Sequence, residues 1–397
     1  MKNKMKGVTL SAEWCPKQGF KLGYKDIEKK QTYLGSRVWR NPKVDIIEYD
    51  IPKAGVGEVI VNVKACGICG SDVHMAQAHE DGYIYYPGLT GFPVILGHEL
   101  SGIVVDVGPD ALDSRTGKPF KGGEYVCTEE MLWCGKCIPC LDGQPNHCER
   151  LNEIGFNIHG GFADYIKLPA KSLWNLEPLK KIYSKDEILL VGSLVEPTSV
   201  AYNAVITVAG GITPGENVVI SGGGPIGLLA CAILKKQGAS KVILSEPEKS
   251  RTKIGKKMGA DYVINPLKED FVGKVLEYTN GMGADIYLEA TGLHQIVWPQ
   301  IETCIWEGKL IGSTVCLVSR ADEKMPVTGE VLQVKRANIC GAYGHAGHKN
   351  FYKVIESIAS GMDILPIITK RISLNEIPKY LEILQDDKSE CKVTCLL

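Results

Sequence analysis

Val218-Val219-Ile220-Ser221-Gly222-Gly223-Gly224-Pro225-Ile226-Gly227-Leu228-Leu229-Ala230 is the stretch that decides the fold of this 397-residue chain. A short β-forming run, a Gly-x-Gly-x-x-Gly turn and an apolar helix-forming run follow one another, the context a dinucleotide fingerprint requires. Gly222 permits the tight turn, Gly224 lets a diphosphate approach the backbone, and Gly227 lets the helix pack on the strand, with Pro225 and Ile226 completing the turn. The diphosphate would sit on the helix N-terminus, where unpaired N–H groups and the dipole favour negative charge. The competing reading is a plain strand–helix turn, since the chain has 44 glycines. Glu246 weighs against it. It follows the next strand, 24 positions after Gly222, where a carboxylate accepts from ribose hydroxyls and repels a 2′-phosphate. NAD is therefore expected over NADP, although Arg251 nearby could bind a phosphate.

Outward from this stretch, strand candidates at residues 218–221, 242–245, 262–264, 286–289, 309–312 and 338–341 are mostly separated by runs with helical spacing. That alternation predicts a parallel sheet with helices on both faces. Before residues 197–211 the pattern differs: Gly, Pro and Cys punctuate short apolar runs such as 59–63 and 103–107, which read as an irregular, strand-rich domain. A helix over 194–208 is expected to bridge the halves. Residues 366–397 read as further strand and helix returning to the first domain.

Composition narrows the function classes. A hydrophobic share of 44% with 23% charged residues is that of a globular protein, and the length suits two domains. Lys+Arg 45 against Asp+Glu 46 gives a net charge of −1, which provides no basic field for nucleic acid or anionic lipid. The longest uncharged run, 217–234, is interrupted by glycines and Pro225, so no membrane span is expected. Fourteen cysteines without a signal-like start point to metal binding and free thiols in the cytoplasm rather than to disulfides.

Cys134, Cys137, Cys140 and Cys148 place four thiols within fifteen residues. Four soft ligands suit tetrahedral zinc with no open position, hence a structural site. The spacing does not follow the ferredoxin pattern of iron–sulfur proteins. A second constellation is dispersed: Cys69-Gly-Ser71-Asp72-Val-His74, then Gly97-His98-Glu99, then Glu196. By spacing alone Cys66-x-x-Cys69 could equally be a redox pair, and each histidine or carboxylate taken singly could be structural.

In this order Cys69 to His74, Gly97-His98-Glu99, the four-cysteine loop, Gly160 to Tyr165, Val195-Glu196-Pro197 and the glycine turn resemble the zinc-dependent medium-chain dehydrogenases of the alcohol dehydrogenase family. The resemblance spans almost the whole chain. It is nearest the polyol and threonine dehydrogenase branch, and residues 21–40, 75–94, Glu289-Ala-Thr-Gly292 and Trp298-Pro299 particularly resemble the scyllo-inosose 3-dehydrogenases of inositol breakdown.

The resemblance implies an α/β chain with a GroES-like β-rich catalytic domain (1–198 and 346–397) and a doubly wound Rossmann domain binding NAD (199–345). It makes Cys69 and His98 ligands of a catalytic zinc, with Glu99 and Glu196, one or both, completing the set directly or through water. Two zinc ions per subunit follow, one catalytic and one structural. Glu196 stands where the two-cysteine type of site has its second thiolate. Ser71 is implied as the acceptor of a substrate hydroxyl proton and His74 as its exit to solvent, with Asp72 orienting the metal shell or capping a helix. Thr291 joins the cofactor side. Oxidation of a polyol or cyclitol secondary alcohol is the expected activity; threonine, sorbitol or butanediol are alternative substrates, and a silent dinucleotide-binding protein is the alternative of another class. Tyr83, Tyr85 and Tyr86 are candidates to cover a polyol or to form an oligomer contact. A homodimer or homotetramer is expected, with strands near Ile311 extending a sheet across a two-fold axis.

Overall fold

A computed structural model describes residues 4–321 and 324–397. The chain divides into two compact units: the chain through Glu196 with Ile368–Lys388 and Lys392–Leu397, and Pro197–Ile367 with Ser389–Cys391.

The first unit is strand-rich, as its punctuated sequence predicts. Its central strand, Glu58–Gly67, pairs antiparallel with Glu99–Val107, Tyr165–Pro169 and Lys392–Leu396. Neighbours on both edges and both faces explain why this strand is apolar almost throughout: Val59, Ile60, Val61, Val63, Ala65 and Cys66 are all buried. A separate sheet joins Lys4–Trp14, Trp39–Asp50 and Val94–Ile95. The return segment is strand Ile368–Ser373, helix Ile377–Asp386 and strand Lys392–Leu396.

In the second unit we number six strands in chain order: β1 Asn217–Ser221, β2 Lys241–Ser245, β3 Tyr262–Ile264, β4 Ile286–Glu289, β5 Thr314–Leu317 and β6 Asn338–Gly341. All pairings are parallel and the spatial order is β3-β2-β1-β4-β5-β6. This is the doubly wound dinucleotide-binding order, and its direction reverses between β1 and β4. The uncharged run 217–234 resolves into β1, the glycine turn and the start of helix Pro225–Gln237. No single described helix is long and apolar enough to cross a membrane.

Three expectations about elements need correction. Residues 309–312 are not a strand: Lys309 and Leu310 N–H groups bond to Gly281 and Met282 carbonyls, Gly312 takes φ +91°, and the strand begins at Thr314. Ile311 is therefore an exposed turn residue, and the sheet edge is β6. Residues 194–208 are not one regular helix but Val195–Tyr202 running into a π-helical turn, Asn203–Val208. Finally, the chain re-enters the first unit at Ile368, not at 346. Helix His348–Ala359 and its end pack within the second unit, where Asn350 bonds Thr207 (3.1 Å) and Ser360 O accepts from Lys236 (2.9 Å).

Candidate metal and dinucleotide sites

Cys69 ends the strand-to-helix turn at the N-cap of the short helix Gly70–Ala76. Asp72, fully buried, fixes this turn with one carboxylate: Oδ2 accepts from Cys69 N at 2.9 Å and Oδ1 from Gly97 N at 3.2 Å. One side chain thus locks together two loops, a capping role extended to a remote partner. Gly97 has φ +91°, and a Cβ there would stand 2.8 Å from the Phe162 ring and 2.9 Å from Cys66 Sγ. Only glycine allows the chain to turn His98 inward at that point. The His98 ring packs on Phe156 (4.8 Å), which packs on Tyr86 (5.3 Å).

The ligand atoms of Cys69, His98 and Glu99 lie within 4.8 Å of one another, so three residues dispersed in sequence converge. Glu196 does not join that set; its carboxylate comes within 4.8 Å of that of Glu130. Glu99 Oε1 is bound at 2.6 Å by the buried Lys392 ammonium, which also donates to Ile68 O at 2.9 Å. Cys66, the other member of the possible redox pair, lies in the core with its pKa raised by burial. A reactive thiol needs the opposite shift.

The donor set fits a zinc ion. Glu99 Oε2 and Ser71 Oγ are buried without a hydrogen-bond partner among the described residues, the pattern expected where an ion or polar ligand completes a site, while His98 Nδ1 faces Asp72 Oδ1 at 3.8 Å. Burial alone would depress the His98 pKa, yet Asp72, Cys69 and Glu196 around it raise it well above the usual value. Glu196 is likewise raised well above the carboxylate range, by burial first and then by Glu130, Glu99 and Cys69. The pocket therefore gathers more buried acids than bases, and a divalent cation would let those acids ionise.

The four-cysteine loop fits a second ion. Cys137 Sγ lies 3.4 Å from Cys140 Sγ and 3.8 Å from Cys148 Sγ, and every cysteine is free. Bonded sulfurs would be about 2.05 Å apart, whereas tetrahedral Zn–S bonds of ~2.3 Å imply separations of ~3.8 Å. Backbone N–H groups of Lys136, Cys134 and Arg150 point at these sulfurs. The Lys136 bond lowers Cys134 to about 6, while burial pushes Cys140 up to about 12. The loop is anchored at its entry, where the Trp133 and Trp174 indoles both donate to Glu129 at 2.9 Å.

In the second unit the glycine turn has the shape its sequence predicts. Gly222 has φ +100° and a Cβ there would meet Ala290 O at 3.0 Å; at Gly227 a Cβ would meet Gly222 O at 1.9 Å. Around Gly224 nothing lies within 4 Å of a Cβ, so the backbone is approachable. Pro225 and Ile226 open the helix that follows. Glu246, 4% exposed, braces the turn itself, accepting from Gly223 N at 2.7 Å and Glu248 N at 2.6 Å. Arg251 is engaged elsewhere, donating to Glu390 O at 2.8 Å. Thr291 is held through its N–H and hydroxyl by Glu289.

The three tyrosines do not converge. Tyr83 contacts Cys15 and the Lys17 ammonium, Tyr85 stacks on His79, and only Tyr86 runs inward, as core behind His98. Asp72's bond to Gly97 and Lys392 were missed by sequence reasoning; Lys392, 293 residues from Glu99, carries no local signal at all.

Comparison with known proteins gives concordant results. Residues 55–178 match the alcohol dehydrogenase GroES-like domain and residues 225–360 the zinc-binding dehydrogenase domain. The scyllo-inosose 3-dehydrogenase of Thermotoga maritima is 61% identical over 393 residues, 99% of this chain and 100% of that protein. The L-threonine 3-dehydrogenase of Pyrococcus horikoshii is 34% identical over 82% of this chain and 87% of its own. A solved Thermotoga maritima structure assigned to the alcohol dehydrogenases superposes with a TM-score of 0.95 at 60% identity, covering 99% of this chain and 100% of that one.

Proposed function

Because the chain belongs to the zinc-dependent medium-chain family of alcohol dehydrogenases, we propose that it oxidises a secondary hydroxyl of a cyclitol to a ketone with NAD, scyllo-inosose being the substrate and position 3 the carbon oxidised. The observation that carries the substrate is the 61% identity over 99% of the chain, against 34% over 82% for a threonine enzyme.

Cys69 and His98, with Glu99 from the same cluster and Glu196 beside it, would hold the catalytic zinc, and the four-cysteine loop the structural one. Zinc supplies Lewis acidity that lowers the pKa of a bound hydroxyl, and NAD supplies the hydride acceptor. The chain's own residues handle the proton. Ser71 Oγ, buried and unpartnered, is free to accept it while passing its own hydroxyl proton onward. His74, three residues on along the same helix, lies on the same face. Surrounding protein and, next, Lys388 lower the His74 pKa, so the imidazole is neutral at pH 7 and able to take the proton to solvent. For Ser71→Ala we expect kcat/KM to fall about 10²-fold with two zinc ions retained. Unchanged turnover removes Ser71 from the relay.

NAD rather than NADP is supported by Glu246, a carboxylate on the turn where a 2′-phosphate would be repelled. The same reading makes the protein a cytoplasmic homodimer or homotetramer in inositol breakdown. Free thiols throughout support the compartment, and the half-exposed edge strand β6 supports association. A steady-state assay with NAD against scyllo-inosose, L-threonine, sorbitol and 2,3-butanediol tests the proposal. Activity is expected on scyllo-inosose by at least about tenfold over the others in kcat/KM, one to two kcal/mol of discrimination. Turnover confined to L-threonine would defeat the cyclitol reading.

A further inference from the structure

At the carboxyl end of β4, beside the point where the strand order reverses, Glu289 is 1% exposed yet accepts from five donors. Its Oε1 takes Thr291 N at 2.7 Å, the Thr291 hydroxyl and Gly292 N at 3.1 Å; its Oε2 takes His294 Nε2 at 3.0 Å and the Ser319 hydroxyl. The donors come from the loop 290–293 after β4, the first residue of the helix His294–Glu307 that follows it, and the loop 318–320 after β5. Those loops touch: a Cβ on Gly292 would stand 3.6 Å from Arg320 O. The first of them also borders the glycine turn, because a Cβ on Gly222 would stand 3.0 Å from Ala290 O and 3.1 Å from the Thr291 methyl.

A doubly wound sheet is two mononucleotide-binding halves, and a dinucleotide lies across the crevice at the carboxyl ends of the strands. Glu246 stands in the β1–β3 half, which takes adenosine. The β4–β6 half is left for the nicotinamide mononucleotide, and the backbone that would face it belongs to the loops Glu289 ties together. We infer that Glu289, with His294 and Ser319, is the positioning cluster for the nicotinamide half of the cofactor. It touches no reacting atom; it sets the place of the 290–292 and 318–319 backbone. The inference rests on the dinucleotide reading above.

The test compares binding of NADH with binding of AMP, which occupies the adenosine half alone, in the zinc-loaded full-length protein. Glu289→Ala is expected to weaken NADH about 10²-fold, since donors to a buried carboxylate lose their acceptor, while AMP affinity stays within about twofold. Glu289→Gln keeps one acceptor oxygen and lets His294 change tautomer, so it is expected to recover most of the loss. If Glu289→Ala does not fold, Ser319→Ala reads the same cluster, with about 3- to 10-fold weaker NADH and unchanged AMP. NADH and AMP weakening in parallel, or NADH unchanged in the folded variants, overturns the inference. Wild-type protein that binds neither ligand overturns the dinucleotide reading itself.

Discussion

Serine at position 69 is expected to leave one zinc per chain instead of two and to lower kcat/KM by at least about 10³-fold, some 4 kcal/mol of transition-state stabilisation. The substitution is mild in every other respect. Cys69 is the N-cap of helix Gly70–Ala76, and serine is a preferred residue there. The Asp72 bond to the residue 69 N–H and its bond to Gly97 N are made by backbone, so the turn survives. What is lost is the thiolate. A serine hydroxyl does not ionise near neutral pH, and His98 with the Glu99 and Glu196 carboxylates would hold a divalent ion more weakly than a set that includes a thiolate. Metal analysis of the purified variant beside a steady-state assay reads both effects. Two zinc ions with full turnover would remove Cys69 from the site.

For Lys392→Met the expected effect is on stability. Lys392 and Glu99 are 2% and 1% exposed in their side chains and 2.6 Å apart. Removing one partner of such a pair leaves a buried charge uncompensated and costs about 3–5 kcal/mol. For a unit of this size that lowers the thermal midpoint by about 6–20 °C. Glu99 would then stand with Glu196, Cys69 and Asp72 around a single imidazole, so added zinc should recover part of the loss. The double variant Lys392→Met with Glu99→Gln separates the charge from the packing: it should melt closer to the parent than the single variant. A single variant melting within a degree of the parent would show that the pair contributes nothing.

These two sites also show what could be read from sequence. The glycine turn and the four-cysteine loop were legible because each is local: turn, helix start and ligands fall within about fifteen residues, where spacing alone constrains geometry. Cys69, His98 and Glu196 had to be joined through a resemblance, since no periodicity links positions 69, 98 and 196. The convergence of Cys69 with His98 and Glu99 depends on strand pairing, Gly67 with Glu99 in the central sheet, and pairing partners are not written in either strand. Lys392 and Phe156 were missed for the same reason. The tyrosines differ: Tyr83, Tyr85 and Tyr86 are close in sequence, but in irregular chain near neighbours point to separate surroundings. Residues 309–312 read as a strand from Leu310 and Ile311, yet Gly308 and Gly312 on either side mark the turn that is observed.

The span between Glu99 and Lys392 bears on how the protein is made. A ribosome adding about 5–20 residues per second needs roughly 15–60 s to travel the 293 positions separating them. The four thiols of residues 134–148 emerge together early in that interval and can capture their ion while the polypeptide is still being synthesised. Glu99, in contrast, has no Lys392 counter-charge until the last strand of the sheet is threaded beside it. On the metal assignment proposed above, uptake would be ordered, with the scaffold ion first and the reactive one last.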